Sequence, residues 1–394
     1  MSRTPVFPAV AALAAVVGVV APAPPALARS ELPELDNPSQ GCVGPSPVVA
    51  TEQAWPFRRL APSTVWPLSR GRGIVVAVLD TGVSATAPAL AGAVRPGVDV
   101  VNGGPADSDC QGRGTALAGL VAARPRAGTP IAGIAPDATV LPVRIVDAEG
   151  RVPDGALAAG LRAATRARAD VILVGTGTAR PDPALRAAVR AAVAADVVVV
   201  APINGQRAES ADRPAAVWYP AAYPEVVAVG GIGPDGTPLG SPAPAAGVDL
   251  AAPGTEAVAA GPVGVGHFRV GGTAVAAAQV AATAALVRGY RRDESAATVV
   301  GRLVRTAEPP ADPALAALLG AGLVDVREAV GATVLGVAPR NDLPEAAVTP
   351  PEVPPRPPAA ALAVTVSLAC LGTAALAGLV AATLRRGRRR GWRP

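Results

Sequence analysis

The chain has 394 residues, a formal net charge of +5 and only 3% aromatic residues. This length accommodates one large α/β domain with further segments at its ends. Six arginines fall within residues 385–394, so the rest of the chain has a formal charge of 5 − 6 = −1. With that charge and so few aromatic side chains, the composition argues against a nucleic-acid-binding protein.

The first residues have the features of a secretory signal peptide. Arg3 precedes the apolar run Val6–Val20, and Ala26-Leu27-Ala28 supplies the small residues of a cleavage site. An uncleaved anchor helix is the alternative, but the prolines between the run and the cleavage site favour processing. We therefore predict a signal peptide over residues 1–28 and an N-terminal extension over residues 29–54.

Short apolar runs alternate with alanine-rich stretches through the middle of the chain. Runs that are β-branched and bounded by Gly, Pro or Asp predict buried strands over Ile74–Asp80, Thr139–Ile145, Asp170–Val174, Asp196–Ala201 and Val226–Gly230. Helical spacing predicts helices over Thr115–Ala123, Asp154–Ala169, Pro183–Ala195, Thr273–Tyr290 and Glu294–Thr306. This alternation is typical of an α/β domain with a doubly wound, mostly parallel sheet, which we place at residues 55–335.

The first predicted strand ends in Asp80-Thr81-Gly82. Aspartic proteases also carry Asp-Thr-Gly, but they use two such loops that share a proton between their carboxylates. This sequence contains one, and a retroviral-type homodimer that took the second loop from its partner would leave two later motifs unexplained. A different protease class accounts for all three.

Those later motifs are Gly-Arg-Gly-Thr-Ala-Leu-Ala-Gly over residues 112–119 and Gly-Thr-Ala-Val-Ala-Ala-Ala over residues 272–278. Together with the Asp80 segment, they resemble the three boxes of the subtilisin-type serine proteases, in the same order of Asp, His and Ser. The resemblance places Arg113 at the histidine position and Ala274 at the nucleophile position. Asp80 is the one triad residue that remains.

These replacements remove the chemistry of the triad. A serine hydroxyl needs an imidazole to take its proton, and the aspartate only orients and stabilises that imidazole. Ala274 has no nucleophile, and the guanidinium of Arg113 keeps its protons in proteins and is no base near neutral pH. The chain's single histidine, His267, lies in a Gly-rich run, where a loop or strand edge is the favoured prediction over a catalytic role.

The resemblance also points to Asn204 as the oxyanion candidate. The family's asparagine usually ends a valine-rich strand in Ala-Gly-Asn, whereas here Val197–Val200 leads into Ala201-Pro202-Ile203-Asn204-Gly205. Because the order of Gly and Asn is reversed, we expect the side chain of Asn204 to be turned away from the usual position.

The C-terminal part contains a proline-rich stretch and then a long uncharged run. Residues 359–384 form 26 uncharged positions (384 − 359 + 1), more than the ~20 that a transmembrane helix needs. The basic tail, residues 385–394, is cytoplasmic by the positive-inside rule. We predict a stiff linker over residues 336–358, one transmembrane helix over residues 359–384, and a domain outside the cytoplasmic membrane.

Two cysteines, Cys42 and Cys110, fall in the exported part of the chain, while Cys370 lies inside the predicted anchor. An oxidising compartment would allow this pair to form a disulfide. Two free thiols are the alternative.

The plan of the whole chain resembles the mycosins, the membrane-anchored subtilases of actinobacterial type VII secretion systems. The resemblance rests on Trp55–Pro62, Val65–Leu68 and Gly71–Gly73 leading into the aspartate strand, on the signal peptide and anchor, and on the two cysteines. It implies that Cys42 pairs with Cys110, although the second disulfide of many mycosins has no cysteines here. It also implies partners among the type VII secretion membrane components.

We therefore predict a pseudoprotease with a structural or binding role, which needs no cofactor or metal. An active or residually active endopeptidase that processes secreted substrates is one alternative, and a module that binds peptide segments in the retained cleft is another. We further expect Arg113 to form an ion pair with Asp80, because a buried carboxylate without a partner is strongly destabilising.

Overall fold

The computed structural model describes residues 31–35, 41–204, 217–239 and 247–333, together with isolated positions near the C-terminus. The chain divides into two compact units, Met1–Pro344 and Glu345–Pro394. The predicted signal peptide and linker lie outside the described residues, as does nearly all of the predicted anchor. Within the described part, no helix combines the length and the apolar character needed to cross a bilayer.

Seven strands form one parallel sheet in the order β2-β3-β1-β4-β5-β6-β7, which confirms the predicted α/β class. Their bounds are β1 Val75–Asp80, β2 Val98–Asp99, β3 Thr139–Arg144, β4 Val171–Val174, β5 Val198–Pro202, β6 Val227–Ile232 and β7 Leu250–Pro253. The chain then adds an antiparallel hairpin of β8 Ala257–Ala260 and β9 His267–Val270. The five strands predicted from sequence are present, with ends shifted by at most two residues.

Eight α-helices accompany these strands in the described residues. They are α1 Trp55–Leu60, α2 Arg113–Ala122, α3 Ala156–Arg166, α4 Pro183–Ala194, α5 Thr273–Tyr290, α6 Ala296–Arg305, α7 Ala316–Leu319 and α8 Val326–Gly331. The five helices predicted from sequence are all among them. The shorter α1, α7 and α8 were not predicted, because four to six residues are too few to show a helical period.

Two apolar cores cover the two faces of the sheet. On one face, α2 and α5 pack on the central strands, and α5 is buried over nearly its whole length because its alanines allow close approach. On the other face, α3 and α4 pack against each other and against the same sheet. Because all strands run parallel, their carboxyl ends lie along one edge, which is where such sheets place their sites.

Candidate active site

Asp80 is the last residue of β1, a central strand of the sheet. Its side chain is fully buried, and its Oδ1 accepts hydrogen bonds from the Thr81 amide at 2.8 Å and from Arg113 Nε at 2.7 Å. Within the described residues, its second oxygen, Oδ2, has no hydrogen-bond partner. Because this carboxylate is buried, the cation beside it is needed to stabilise it in the fold.

Arg113 supplies that cation from the first position of α2. Its side chain is only 13% exposed, so the ion pair with Asp80 is shielded from solvent. The ion pair expected from the sequence is therefore present. Gly112, which precedes the helix, has a φ of 78°, a left-handed conformation that favours glycine.

Two glycines allow the chain to approach this pair closely. A Cβ built on Gly175, just after β4, would lie 2.0 Å from Asp80 Oδ2, and one built on Gly114 would lie 2.0 Å from the carbonyl oxygen of Gly82. Sequence reasoning did not single out either residue in this role. A glycine directly after a buried strand is a weak signal, because many loops begin that way.

Asp109 connects the aspartate segment to α2. Its carboxylate accepts four hydrogen bonds, from the amides of Gly112 and Thr115 and from the hydroxyls of Thr81 and Thr115, all at 2.7–2.8 Å. Both hydroxyl oxygens already accept a backbone N–H, from Gly114 and Ser84 respectively, so their protons are directed at Asp109. Burial raises the pKa of Asp109, while these donors oppose the rise.

The start of α5 brings Ala274 and Asn204 into one neighbourhood. Ala274 is the second residue of α5 and is buried, and the Thr273 hydroxyl donates a hydrogen bond to Asn204 Oδ1 at 2.5 Å. The expected turn of Asn204 away from the usual oxyanion position stays a prediction, but its side chain lies beside the residue that precedes Ala274. The reason is that β5 ends at Pro202, only two residues earlier, and packs against α5.

His267 belongs to a different part of the molecule. It begins β9 and is buried, and its Nδ1 accepts a hydrogen bond from the Ala50 amide at 3.0 Å. Burial lowers its pKa, which keeps the imidazole neutral and its Nδ1 an acceptor. His267 lies on a strand, where the sequence predicted a loop or strand edge, and its hydrogen bond with Ala50 anchors the N-terminal extension.

The N-terminal extension borders the Asp80–Arg113 pair. Cys42 and Cys110 form a disulfide with an S–S distance of 2.00 Å, and the Val43 amide donates to the Cys110 carbonyl at 2.8 Å. Leu35 lies close to Gly112, where a Cβ would meet its side chain at 3.1 Å. The disulfide therefore joins the extension to the segment that enters α2.

The described residues contain no group of three or more His, Cys, Asp or Glu side chains that could hold a metal ion. The arrangement offers a buried ion pair, an asparagine and a helix N-terminus, but position 274 carries no nucleophilic atom and position 113 carries no base. The site therefore retains its buried ion pair and the fold around it.

Known proteins are similar to this chain in sequence and in fold. A profile of the subtilase family matches residues 71–322. Subtilisin BL of Lederbergia lenta is 32% identical over 281 residues, which cover 68% of this chain and 99% of that protein. Thermitase of Thermoactinomyces vulgaris is 32% identical over 249 residues, which cover 63% of this chain and 86% of thermitase.

Similar solved structures include MycP1 from Mycobacterium smegmatis, with a TM-score of 0.65 and 25% identity over 76% of this chain and 91% of that one. Another is the serine protease MycP1, an essential component of the type VII (ESX-1) secretion system, with a TM-score of 0.64 and 29% identity over 76% of this chain and 96% of that one. Because the family match spans more than half of the sequence and the fold agrees with it, this chain belongs to the subtilase family.

Proposed function

We propose that this chain is a mycosin-like pseudoprotease, a subtilase that has lost peptide-bond hydrolysis and serves a secretion complex by binding. The observation that carries the proposal is the Arg113 Nε–Asp80 Oδ1 hydrogen bond of 2.7 Å. In an active triad, the aspartate accepts a hydrogen bond from the histidine, whose other nitrogen takes the serine proton. Here, the aspartate is bonded to a permanent cation that cannot accept a proton.

The hydroxyl groups near the site support the loss of activity. The Thr81 and Thr115 hydroxyls donate to Asp109, and the Thr273 hydroxyl donates to Asn204. None of these three donates to an imidazole: the first two share a buried carboxylate that already accepts two backbone amides, and the third donates to an amide oxygen, which is no base. A residual peptidase would require a nucleophile and a base from elsewhere in the chain, and no geometry in the described residues favours one.

The role in secretion rests on similarity. The MycP1 structures share the fold over about three quarters of this chain, and MycP1 is a component of a type VII secretion system. We propose that this chain associates with membrane components of such a system. It would be held by the single anchor over residues 359–384, with its domain outside the cytoplasmic membrane and its basic tail in the cytoplasm.

A fluorophosphonate probe tests the loss of catalysis, because it labels activated serines. The full-length chain in detergent is expected to remain unlabelled while MycP1 is labelled under the same conditions. Ala274→Ser alone should also stay unlabelled, since Arg113 cannot take the serine proton. Labelling of the unmodified chain that disappears when another serine or threonine is replaced would refute the proposal.

A test of the secretion role is co-purification from the native membrane. The tagged chain is expected to bring down components of a type VII secretion complex, and a variant that ends before residue 359 is expected to bring down less. Recovery of the full-length chain without any such component would contradict the proposed association.

A further inference from the structure

A cleft of about 630 Å³ opens beside the Asp80–Arg113 pair. Its walls include Thr81 and Gln111, which are chain neighbours of the candidate active site, and the Cys42–Cys110 disulfide. Arg113, Ala274 and Asn204 are not part of its lining. The volume falls within the range of about 300–1,000 Å³ that is typical of ligand sites.

The lining of this cleft is negatively charged. Its exposed or partly exposed charges are the carboxylates of Asp107 and Asp147 and the guanidinium of Arg144, for a formal charge of 1 − 2 = −1, while Asp109 is buried and both of its oxygens accept hydrogen bonds. Arg144 is already paired, because its Nη1 donates to Asp99 Oδ2 at 2.7 Å. Asp107 is exposed and forms no ion pair with any described residue, so its charge is available to a ligand.

Asp147 adds a second carboxylate to the lining, with a side chain that is 18% exposed. Partial burial would raise its pKa, but hydrogen bonds from Arg151 and the Glu149 amide lower it overall. The carboxylate is therefore ionised at neutral pH. Its partner Arg151 is 73% exposed, so their ion pair is screened by solvent and only weakly neutralises the cleft.

Apolar side chains form another part of the wall. They include Val146, Pro262 and Val263, and Val263 is 41% exposed. A ligand that satisfies both surfaces has an aliphatic stem and a cationic head, as arginine and lysine side chains do. A divalent metal ion is a poorer match, because the described residues contain no group of three metal-ligating side chains.

We propose that this cleft binds a peptide segment of a partner protein through an arginine or lysine side chain. The stem packs on Val146, Pro262 and Val263, and the charged head faces Asp107 and Asp147. The Cys42–Cys110 disulfide holds one wall in place, which reduces the ordering needed on binding. This inference rests on the proposed function, because it assigns a ligand to a cleft that binds peptides without cleaving them.

Isothermal titration of the full-length chain in detergent, at constant ionic strength, tests the assignment. The probes are three blocked pentapeptides of alanine with a central arginine, glutamate or norleucine. The arginine peptide is expected to bind at least about tenfold more tightly than either of the others, because one well-placed charge pair accounts for about that ratio. Equal affinities for the three peptides, or no binding of the arginine peptide at millimolar concentration, would overturn it.

Two variants of equal charge change separate a specific contact from the general field. Asp107→Asn, at an exposed side chain that leaves the fold intact, is expected to weaken the arginine peptide about three- to fivefold. Asp154→Asn removes a carboxylate that is 95% exposed and outside the cleft, and this variant should bind the arginine peptide as tightly as the unmodified chain does. Similar losses in both variants, or displacement of the peptide by 1 mM (about physiological) Ca²⁺, would overturn the assignment.

The recovered peptides distinguish this inference from the proposed function. Chromatography after the titration is expected to return the arginine peptide intact. Binding followed by cleavage would support the cleft assignment and refute the pseudoprotease. Absence of binding together with an unlabelled chain in the fluorophosphonate test would refute the cleft and leave the pseudoprotease standing.

Discussion

Removing the cation from the Asp80–Arg113 pair is expected to destabilise the fold more than removing both charges. Asp80 is fully buried and Arg113 is 13% exposed, so Arg113→Met leaves a carboxylate with no cation in a low-dielectric setting. Breaking such a pair from one side lowers the free energy of unfolding by about 3–5 kcal/mol. Asp80→Asn combined with Arg113→Met removes the charge as well, and we expect a loss of at most about 2 kcal/mol.

Urea unfolding of the full-length chain in detergent, followed by tryptophan fluorescence, measures these differences. Arg180→Met is the control, because Arg180 and Asp154 are paired at 3.5 Å with both side chains more than 80% exposed. That variant should lose no more than about 1 kcal/mol. If Arg113→Met proves no more destabilising than Arg180→Met, or if the double variant is the least stable, the pair is not the buried partnership that we infer.

The same unfolding measurement checks three further changes. Gly175→Ala should lower the unfolding free energy by about 1–3 kcal/mol, because its methyl group would collide with Asp80 Oδ2; Gly331→Ala, which meets nothing within 4 Å, should lose nothing, and equal effects would contradict the close approach. Burial lowers the pKa of His267 from 6.5, so the unfolded chain binds this proton more tightly. The free energy of unfolding should then fall as the pH drops through about 6.5, by up to about 1.4 kcal/mol per pH unit, until the pH reaches the pKa of His267 in the folded chain. His267→Gln should flatten this pH dependence, and identical slopes for the two proteins would refute the role of His267. Replacing Cys42 and Cys110 by serine opens the loop that the disulfide closes, across a sequence separation of 68 residues. This change should lower the free energy of unfolding by up to about 4 kcal/mol, and a reductant should then have no further effect on stability.

The sequence could predict those features of this molecule that depend on residues close together along the chain. Local patterns identify the strand that ends at Asp80, the helix at Arg113 and the long helix from Thr273. The family resemblance implies how these segments pack together, and that packing predicted the Asp80–Arg113 pair. Hydrophobic periodicity located the five central strands because parallel strands buried on both faces are continuous apolar runs.

Other features depend on residues that only tertiary structure brings together. The four donors around Asp109 come from segments up to 28 residues away, and no local pattern marks a carboxylate for such a role. The position of the Asn204 side chain depends on tertiary structure in a related way. Its side chain is placed by the end of β5 against α5, so the identity of the next residue matters less than the packing of the strand.

Structure and catalysis place different demands on the partner of Asp80. A triad histidine donates one N–H to the aspartate and keeps its second nitrogen for the serine proton. Arg113 Nε also donates one N–H to Asp80, at 2.7 Å, and so meets the structural demand of a buried carboxylate. It cannot meet the chemical demand, because a guanidinium releases no proton near neutral pH. Once the base is lost, a serine at position 274 has no partner to activate it, and the fold loses nothing by carrying alanine there.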